Sequence, residues 1–255
     1  MVLKNLRNSF PEKSDEELTQ IMRRFYHNLC DYGVETLKLL TISKEELTRR
    51  FSFGYQERVD HYARESKSVI YLAAHQFNWE WGMVSASAAL PLPMDFVYQK
   101  VNNNFFDALM LACRTRFGAY PIERQKVARE SISRKNILRG VATVTDQYPG
   151  HPGDKRFIHS FLNQDTAFFY GVNQIAQVTQ YPVFFFNIEK IKRGYYKGSF
   201  IPVGVPPYSK DDTSVIEGYI KELEESIIKN PENYLWTHDR WKKRHLKQAQ
   251  IQCLL

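Results

Sequence analysis

The 255-residue chain has little cysteine: Cys30, Cys113 and Cys253 are odd in number and far apart. No Cys-x2-Cys or His-x3-His spacing occurs, so neither a disulfide framework nor a zinc site is implied, and a reducing compartment is expected. No run of about 18 apolar residues is present, which leaves no segment suited to span a bilayer as a helix. A Gly-x-Ser-x-Gly elbow is missing, so an acyl-enzyme on serine is not indicated. Helix-turn-helix, zinc-finger and RNP patterns are absent too, which argues against a nucleic-acid partner. What the chain does have is 35 Lys and Arg against 28 Asp and Glu, a net charge of +7. That balance suits an acidic partner, either an anionic membrane surface or an acidic carrier protein.

Strand-like and helix-like segments alternate, so the sequence predicts an α/β fold. It is read as one domain over residues 1–255, with a central mixed, mostly parallel sheet flanked by helices. The first 65 residues read as helical: Ser14 with Glu17 and Ser43 with Glu46 are capping signatures, and a break is expected at Gly33. Val69 to Ala74 has the pattern of a buried strand, and Gly82 to Leu90 that of a buried helix. Beyond them the pattern gives a strand over Pro93–Val101, a helix over Phe105–Phe117 after an Asn102–Asn104 cap, and a short strand at Tyr120–Ile122. A basic helix over Gln125–Leu138 and a strand over Val141–Thr145 come next. Asp165–Thr179 reads as a helix, Tyr181–Lys192 and Tyr195–Val203 as a hairpin turning at Arg193-Gly194, and Thr213–Lys229 as a last long helix.

Between the first buried strand and its helix lies His75-Gln76-Phe77-Asn78-Trp79-Glu80. A strand-to-helix corner is where open α/β sheets place ligands. On one continuous helix, residues five apart point in different directions, but a turn between His75 and Glu80 could bring them together. Glu80 would then fix the tautomer of His75 and steady its imidazolium while the other ring nitrogen takes a proton from a hydroxyl. The same residue types also serve to close a hydrogen-bonded turn. Asp146-Gln147 follows another buried strand, so both should stand at the same sheet edge as His75. From Arg114 to Arg139 there are eight basic residues against Glu123 and Glu130. Such a run is either a solvated face or a phosphate-binding surface, with Arg116 and Arg124 as candidates, since the guanidinium fork suits phosphate oxygens.

Taken with its flanks, the His75 block resembles the His-x4-Asp/Glu motif of the lysophospholipid acyltransferase superfamily, and within it the bacterial late acyltransferases of lipid A biosynthesis. Relatives often read His-Phe-Gly-Asn-Trp-Glu here; this chain has Gln76 and Phe77 in the middle and keeps His75, Asn78, Trp79 and Glu80. A second match is Pro231-Glu232-Asn233-Tyr234-Leu235-Trp236-Thr237-His238-Asp239-Arg240-Trp241-Lys242, with Asp239 where an Arg is common. The resemblance implies a glycerolipid acyltransferase-like fold and transfer of a fatty acyl chain from an acyl carrier protein thioester to a hydroxyl of a membrane lipid, with no other cofactor and no metal. His75 and Glu80 would be catalytic. Asn78, Arg114, Arg116, Arg124, Asp146, Gln147, His238 and Arg240 would bind substrate, Arg114 by holding the acceptor. The block around Thr166 and Gly171 would lie along the acyl pocket, shortened here by Phe168, Phe169 and Tyr170. The expected place is the cytoplasmic face of the bacterial inner membrane; relatives carry a hydrophobic anchor just before a segment like Lys4-Asn5-Leu6, and this sequence is expected to omit it. An aminolipid or lysophospholipid acceptor, a thioesterase, and a non-catalytic basic membrane-binding protein are the alternatives.

Overall fold

The computed structural model describes residues 1–151 and 153–241; Lys242 and Cys253 lie outside the described residues. Helix α1 (Val2–Ser9) leads into α2 (Asp15–Lys38), which Ser14 opens. The Ser14 hydroxyl accepts the Glu17 N–H while the Glu17 carboxylate accepts the Ser14 N–H, so two otherwise orphaned donors are satisfied together. Helix α2 runs unbroken past Gly33, against the expected interruption. Ser43 caps α3 (Lys44–Arg50) in turn. The N-terminal region is helical apart from β1 (Phe51–Gly54), a short edge strand, and continues into α4 (Gln56–Arg64).

The core begins with β2 (Val69–Ala73), buried along its whole length as a central parallel strand should be. In order follow α5 (Trp79–Ala89), β3 (Met94–Tyr98), α6 (Asn104–Thr115), β4 (Tyr120–Glu123), α7 (Val127–Ser133) and β5 (Gly140–Val144). A small hairpin of β6 (Arg156–Phe161) and β7 (Gln164–Phe169) precedes α8 (Gly171–Thr179). Strands β8 (Val183–Lys192) and β9 (Tyr195–Gly204) and helix α9 (Ser214–Lys229) complete the domain. The main sheet has the order β1-β9-β8-β2-β5-β3-β4. Every neighbouring pair is parallel except the hairpin β8–β9, which turns at Gly194 with φ +73°, the left-handed conformation glycine adopts freely. The sheet is therefore mixed and mostly parallel, in one domain.

Two apolar layers cover its faces. One holds Ile70, Leu72 and Phe185 with α8, α9 and the N-terminal helices. The other holds Tyr71, Ala73 and Phe186 with α3 and α5. Besides α2 and β1, two further elements differ from the sequence reading. Residues 164–169 form a strand, not the start of a helix, because Leu162 and Asn163 take left-handed φ values and fold the chain back onto β6. The basic helix is shorter than expected, since Arg134 and Arg139 are both drawn to the buried Asp95 of β3, at 3.0 and 2.8 Å. No helix among the described residues is long and apolar enough to cross a membrane.

Candidate active site

The register of β2 and β5 builds the centre of the site. Ala73 lies opposite Val144 in this parallel pair, so the residues two further on, His75 and Asp146, leave the sheet side by side. Nδ1 of His75 stands 2.8 Å from Oδ1 of Asp146, and the His75 backbone N–H donates to the same oxygen at 3.2 Å. With Nδ1–H donating to the carboxylate, Nε2 keeps its lone pair and accepts from the Gln147 side-chain amide at 3.3 Å. His75 and Gln147 both line a cavity of about 910 Å³.

Asp146 itself is buried. Burial pushes its carboxyl up, but His75, by charge and hydrogen bond, and then the charge of Arg240 hold it below the ordinary carboxylate range. Tyr219 and Tyr234 close over it; burial first, and the Asp146 charge second, push both phenols well above their usual value. Arg240 is only 2 % exposed and packs over the Phe168 ring at 4.6 Å. Burial pulls its guanidinium down, opposed by the neighbouring tyrosines and Asp146. The Pro231–Arg240 segment is thus the back wall of the His75 turn. Leu235 N–H donates to the His75 carbonyl at 3.0 Å and Phe77 N–H to the Asn233 carbonyl at 2.9 Å.

Glu80 takes a different partner from the one its spacing suggested. It sits in the first turn of α5 and receives both Nε (2.8 Å) and Nη2 (2.5 Å) of Arg114 from α6. No hydrogen bond joins Glu80 to His75 among the described residues, and the carboxylate that orients the ring is Asp146. The reason is topological. A parallel neighbour strand delivers a side chain to the end of β2, whereas α5 has already turned Glu80 toward α6. Trp79 links the two pairs: its ring packs edge-on to His75 at 5.0 Å, and its Nε1–H donates to Glu80 at 3.2 Å. Burial pulls the Arg114 guanidinium down, but the Glu80 hydrogen bonds and charge outweigh this and raise it.

Among the residues predicted for the site, His75, Glu80, Arg114, Arg124 and Gln147 line the cavity. Arg124 is held by Asp154 at 2.7 Å and lies over the Phe169 ring. Asn78, Arg116, Asp146, His238 and Arg240 do not line the cavity. Asn78 is the N-cap of α5: its oxygen accepts the Trp81 N–H at 3.0 Å and its amide donates to Glu35 at 2.9 Å. Arg116 donates to the Leu39 carbonyl, and Nε2 of His238 accepts the Tyr148 N–H at 3.3 Å. Of the block around Gly171, Phe169 and Gly171 line the cavity and Phe168 packs under Arg240. Sequence reasoning passed over Trp79, Met83, Tyr98 and Tyr148 as cavity walls. Only Trp79 carried a local signal, lying inside the His75 block. Among the described residues, no group of three or more His, Cys, Asp or Glu could hold a metal ion.

A histidine tied to a buried carboxylate, its other nitrogen bonded only to a neutral amide at the wall of a large, mostly apolar cavity, suits general-base chemistry. The comparisons name the family. The family described as bacterial lipid A biosynthesis acyltransferase matches residues 1–243. The chain is 22 % identical over 250 residues to the lipid A biosynthesis palmitoleoyltransferase of Escherichia coli (strain K12), covering 97 % of this chain and 80 % of that protein. It matches the lipid A biosynthesis acyltransferase of Shigella flexneri with the same identity and coverage. The chain is therefore an acyltransferase and belongs to the bacterial lipid A biosynthesis acyltransferase family.

Proposed function

We propose that the protein transfers a fatty acyl chain from an acyl carrier protein thioester to a hydroxyl of a lipid A precursor, with His75 as general base. The observation that carries this reading is the His75 ring on the cavity wall with Nδ1 secured by Asp146, so that an acceptor hydroxyl arriving at Nε2 takes the place of the Gln147 amide there. The acceptor O–H gives its proton to Nε2 as its oxygen bonds to the thioester carbonyl carbon. The resulting tetrahedral oxyanion collapses, the C–S bond breaks, and the thiolate leaves with the proton from the imidazolium. Asp146 stabilises the imidazolium between these steps without taking its proton. Backbone N–H groups at the start of α5 and the Gln147 amide are the nearest candidates to receive the oxyanion. Arg114, with Nη1 left over from its pairing to Glu80, and Arg124 offer positive charge to an anionic acceptor. The net charge of +7 favours both an acidic carrier protein and an anionic bilayer, and the cytoplasmic face of the inner membrane is the proposed workplace.

The test is direct. Acyl carrier protein thioester and a lipid A precursor are incubated with the protein, and the lipid is read by mass spectrometry. A gain of one acyl group that disappears in His75→Ala supports the reading. An unchanged lipid with free fatty acid accumulating would identify a thioesterase instead.

A further inference from the structure

The cavity touches both faces of the sheet. Side chains alternate along a strand, so Tyr71 and Ala73, with their register partners Ala142 and Val144 and with Phe96 beside Ala142, face α5. Thr143 lies opposite Leu72 and faces the other way, toward α7 and α8. The walls of the one cavity include residues from each side. Under α5 it is bounded by Tyr71, Ala86, Met94, Phe96, Phe186 and Phe200, all buried. On the opposite face it is bounded by Ala128, Ser131 and Ile132 of α7 and by Ile175 and Val178 of α8. There it is an open groove, for Ile132 and Val178 are each 60 % exposed. Helix α8 leads into β8, which is parallel to β2, so its Gly171 end stands at the His75 edge and its Val178 end at the far edge. The two compartments therefore start at the same imidazole and run along opposite faces of the sheet.

Acyl transfer from a protein-bound thioester to a lipid is served by this arrangement. Donor and acceptor each carry hydrocarbon, and both reacting atoms must reach one nitrogen, so two chains must converge there from separate directions. A closed compartment of fixed depth suits the chain that is handed over, since that chain enters end first. An open groove suits a chain that stays attached to a large headgroup. On and around α7, Arg124, Lys126 and Arg134 are paired with Asp154, Glu123 and Asp95, while Arg129 and Lys135 are exposed beside Glu130, so the groove's flank keeps a small excess of positive charge that suits a phosphorylated headgroup.

We propose that the groove between α7 and α8 binds a hydrocarbon chain of the acceptor lipid, while the compartment under α5 takes the acyl chain being transferred. This rests on the acyl-transfer reading above. Ile132→Glu and Val178→Glu place a charge in the groove at exposed positions where folding is retained, as a thermal melt checks. The expected result is an acceptor KM raised tenfold or more in the double variant, with kcat within about threefold and donor chain-length preference unmoved. Ala86→Leu in the closed compartment shifts that preference toward shorter donors and leaves the acceptor KM in place. An acceptor KM within twofold of the parent in the double variant, or a change of donor chain preference there instead, overturns the assignment. A second arm does not depend on turnover. His75→Ala protein is photolysed with a lipid A precursor bearing a diazirine in one chain, and the adducts are mapped by mass spectrometry. Adducts on residues 127–132 and 171–178 support the groove, and adducts confined to other segments overturn it. Failure of the acyl-transfer reading looks different: parent protein then transfers nothing to the lipid, whatever the cross-links show.

Discussion

Asp146 and Glu80 are both buried carboxylates at the edge of one cavity, and each holds a basic partner, yet the partners differ in kind. Asp146 is paired with an imidazole, which can gain and lose a proton near neutral pH. Glu80 is paired bidentately with a guanidinium, which keeps its proton throughout. The first pair can therefore follow a reaction, strengthening as the ring becomes charged. The second is a fixed clamp between α5 and α6. In a single sequence a His-x4-Glu spacing hides this distinction, because both acids are within plausible reach of the same ring. The structure resolves it through strand register.

The strongest way to break the comparison is to remove the proposed general base. His75→Ala is expected to lower kcat/KM by about 10²–10⁴-fold, with a fall in melting temperature as well, because it takes from the buried Asp146 carboxylate its hydrogen-bond partner; assays are run well below the variant's melting temperature. Asp146→Asn should follow with a smaller loss, since the amide can hold the ring but cannot balance its charge. Parallel activity assays and melts on the two variants decide this. A rate loss in Asp146→Asn explained wholly by unfolding would reduce Asp146 to a structural acid.

The clamp should behave in the opposite sense. Glu80→Ala leaves the Arg114 guanidinium without its partner in a mostly buried setting, and the same holds for Arg114→Ala. Each is expected to cost up to about 3–5 kcal/mol of stability, because stranding one ion of a buried pair leaves its desolvation uncompensated. Combining the two should cost less than the sum, and denaturant unfolding of the full cycle measures the coupling. Loss of activity in Glu80→Ala with unchanged stability would return Glu80 to a direct chemical role.

Much of this arrangement could be read before any coordinates. The buried strand ending at Ala73, the Ser14–Glu17 box, the Asn103 cap and the Gly194 turn are local, and each formed where its residues pointed. That Asp146 and His75 share a sheet edge followed from each closing a buried strand. What escaped depends on distant partners. Strand β1 exists because β9 lies beside it, and β7 because Leu162 and Asn163 reverse the chain without a glycine to announce it. The end of α7 is set by Asp95, about forty residues earlier. Glu80's choice of Arg114 over His75 belongs to the same class, for nothing within the block names a residue 34 positions away.

Acid sharpens the contrast further. Asp146 has its carboxyl held below the ordinary range in the folded protein, as does Asp31, whose burial is outweighed by Lys190 and Arg193. In the unfolded chain these groups take up protons near the ordinary aspartate value of about 3.9. The stability they supply is thus fully present above that pH and is lost as pH falls through their lower folded values. Melting temperature should fall from pH 5 toward pH 3 in the parent. The fall should be shallower in Asp146→Asn and in Asp31→Asn, each of which removes one of the contributing protons. An identical slope in all three proteins would mean that other groups control acid unfolding.

The smallest effect concerns Trp79, whose side chain touches both pairs. Trp79→Phe removes the indole N–H that reaches Glu80 and keeps an aromatic edge near His75. The lost hydrogen bond to a charged acceptor is worth about 1.5–3 kcal/mol at most, and less here because Arg114 already occupies both Glu80 oxygens. If imidazole and clamp act separately, the variant loses a little stability and its pH–rate profile keeps its shape. If they act as one unit, the acid limb of that profile moves, because the indole is then what transmits Glu80's charge and position to the ring. Measuring kcat/KM against pH for Trp79→Phe, alone and combined with Glu80→Gln, separates the two cases: additive effects keep the pairs distinct, and non-additive effects make Glu80 a positioning residue for His75 through Trp79.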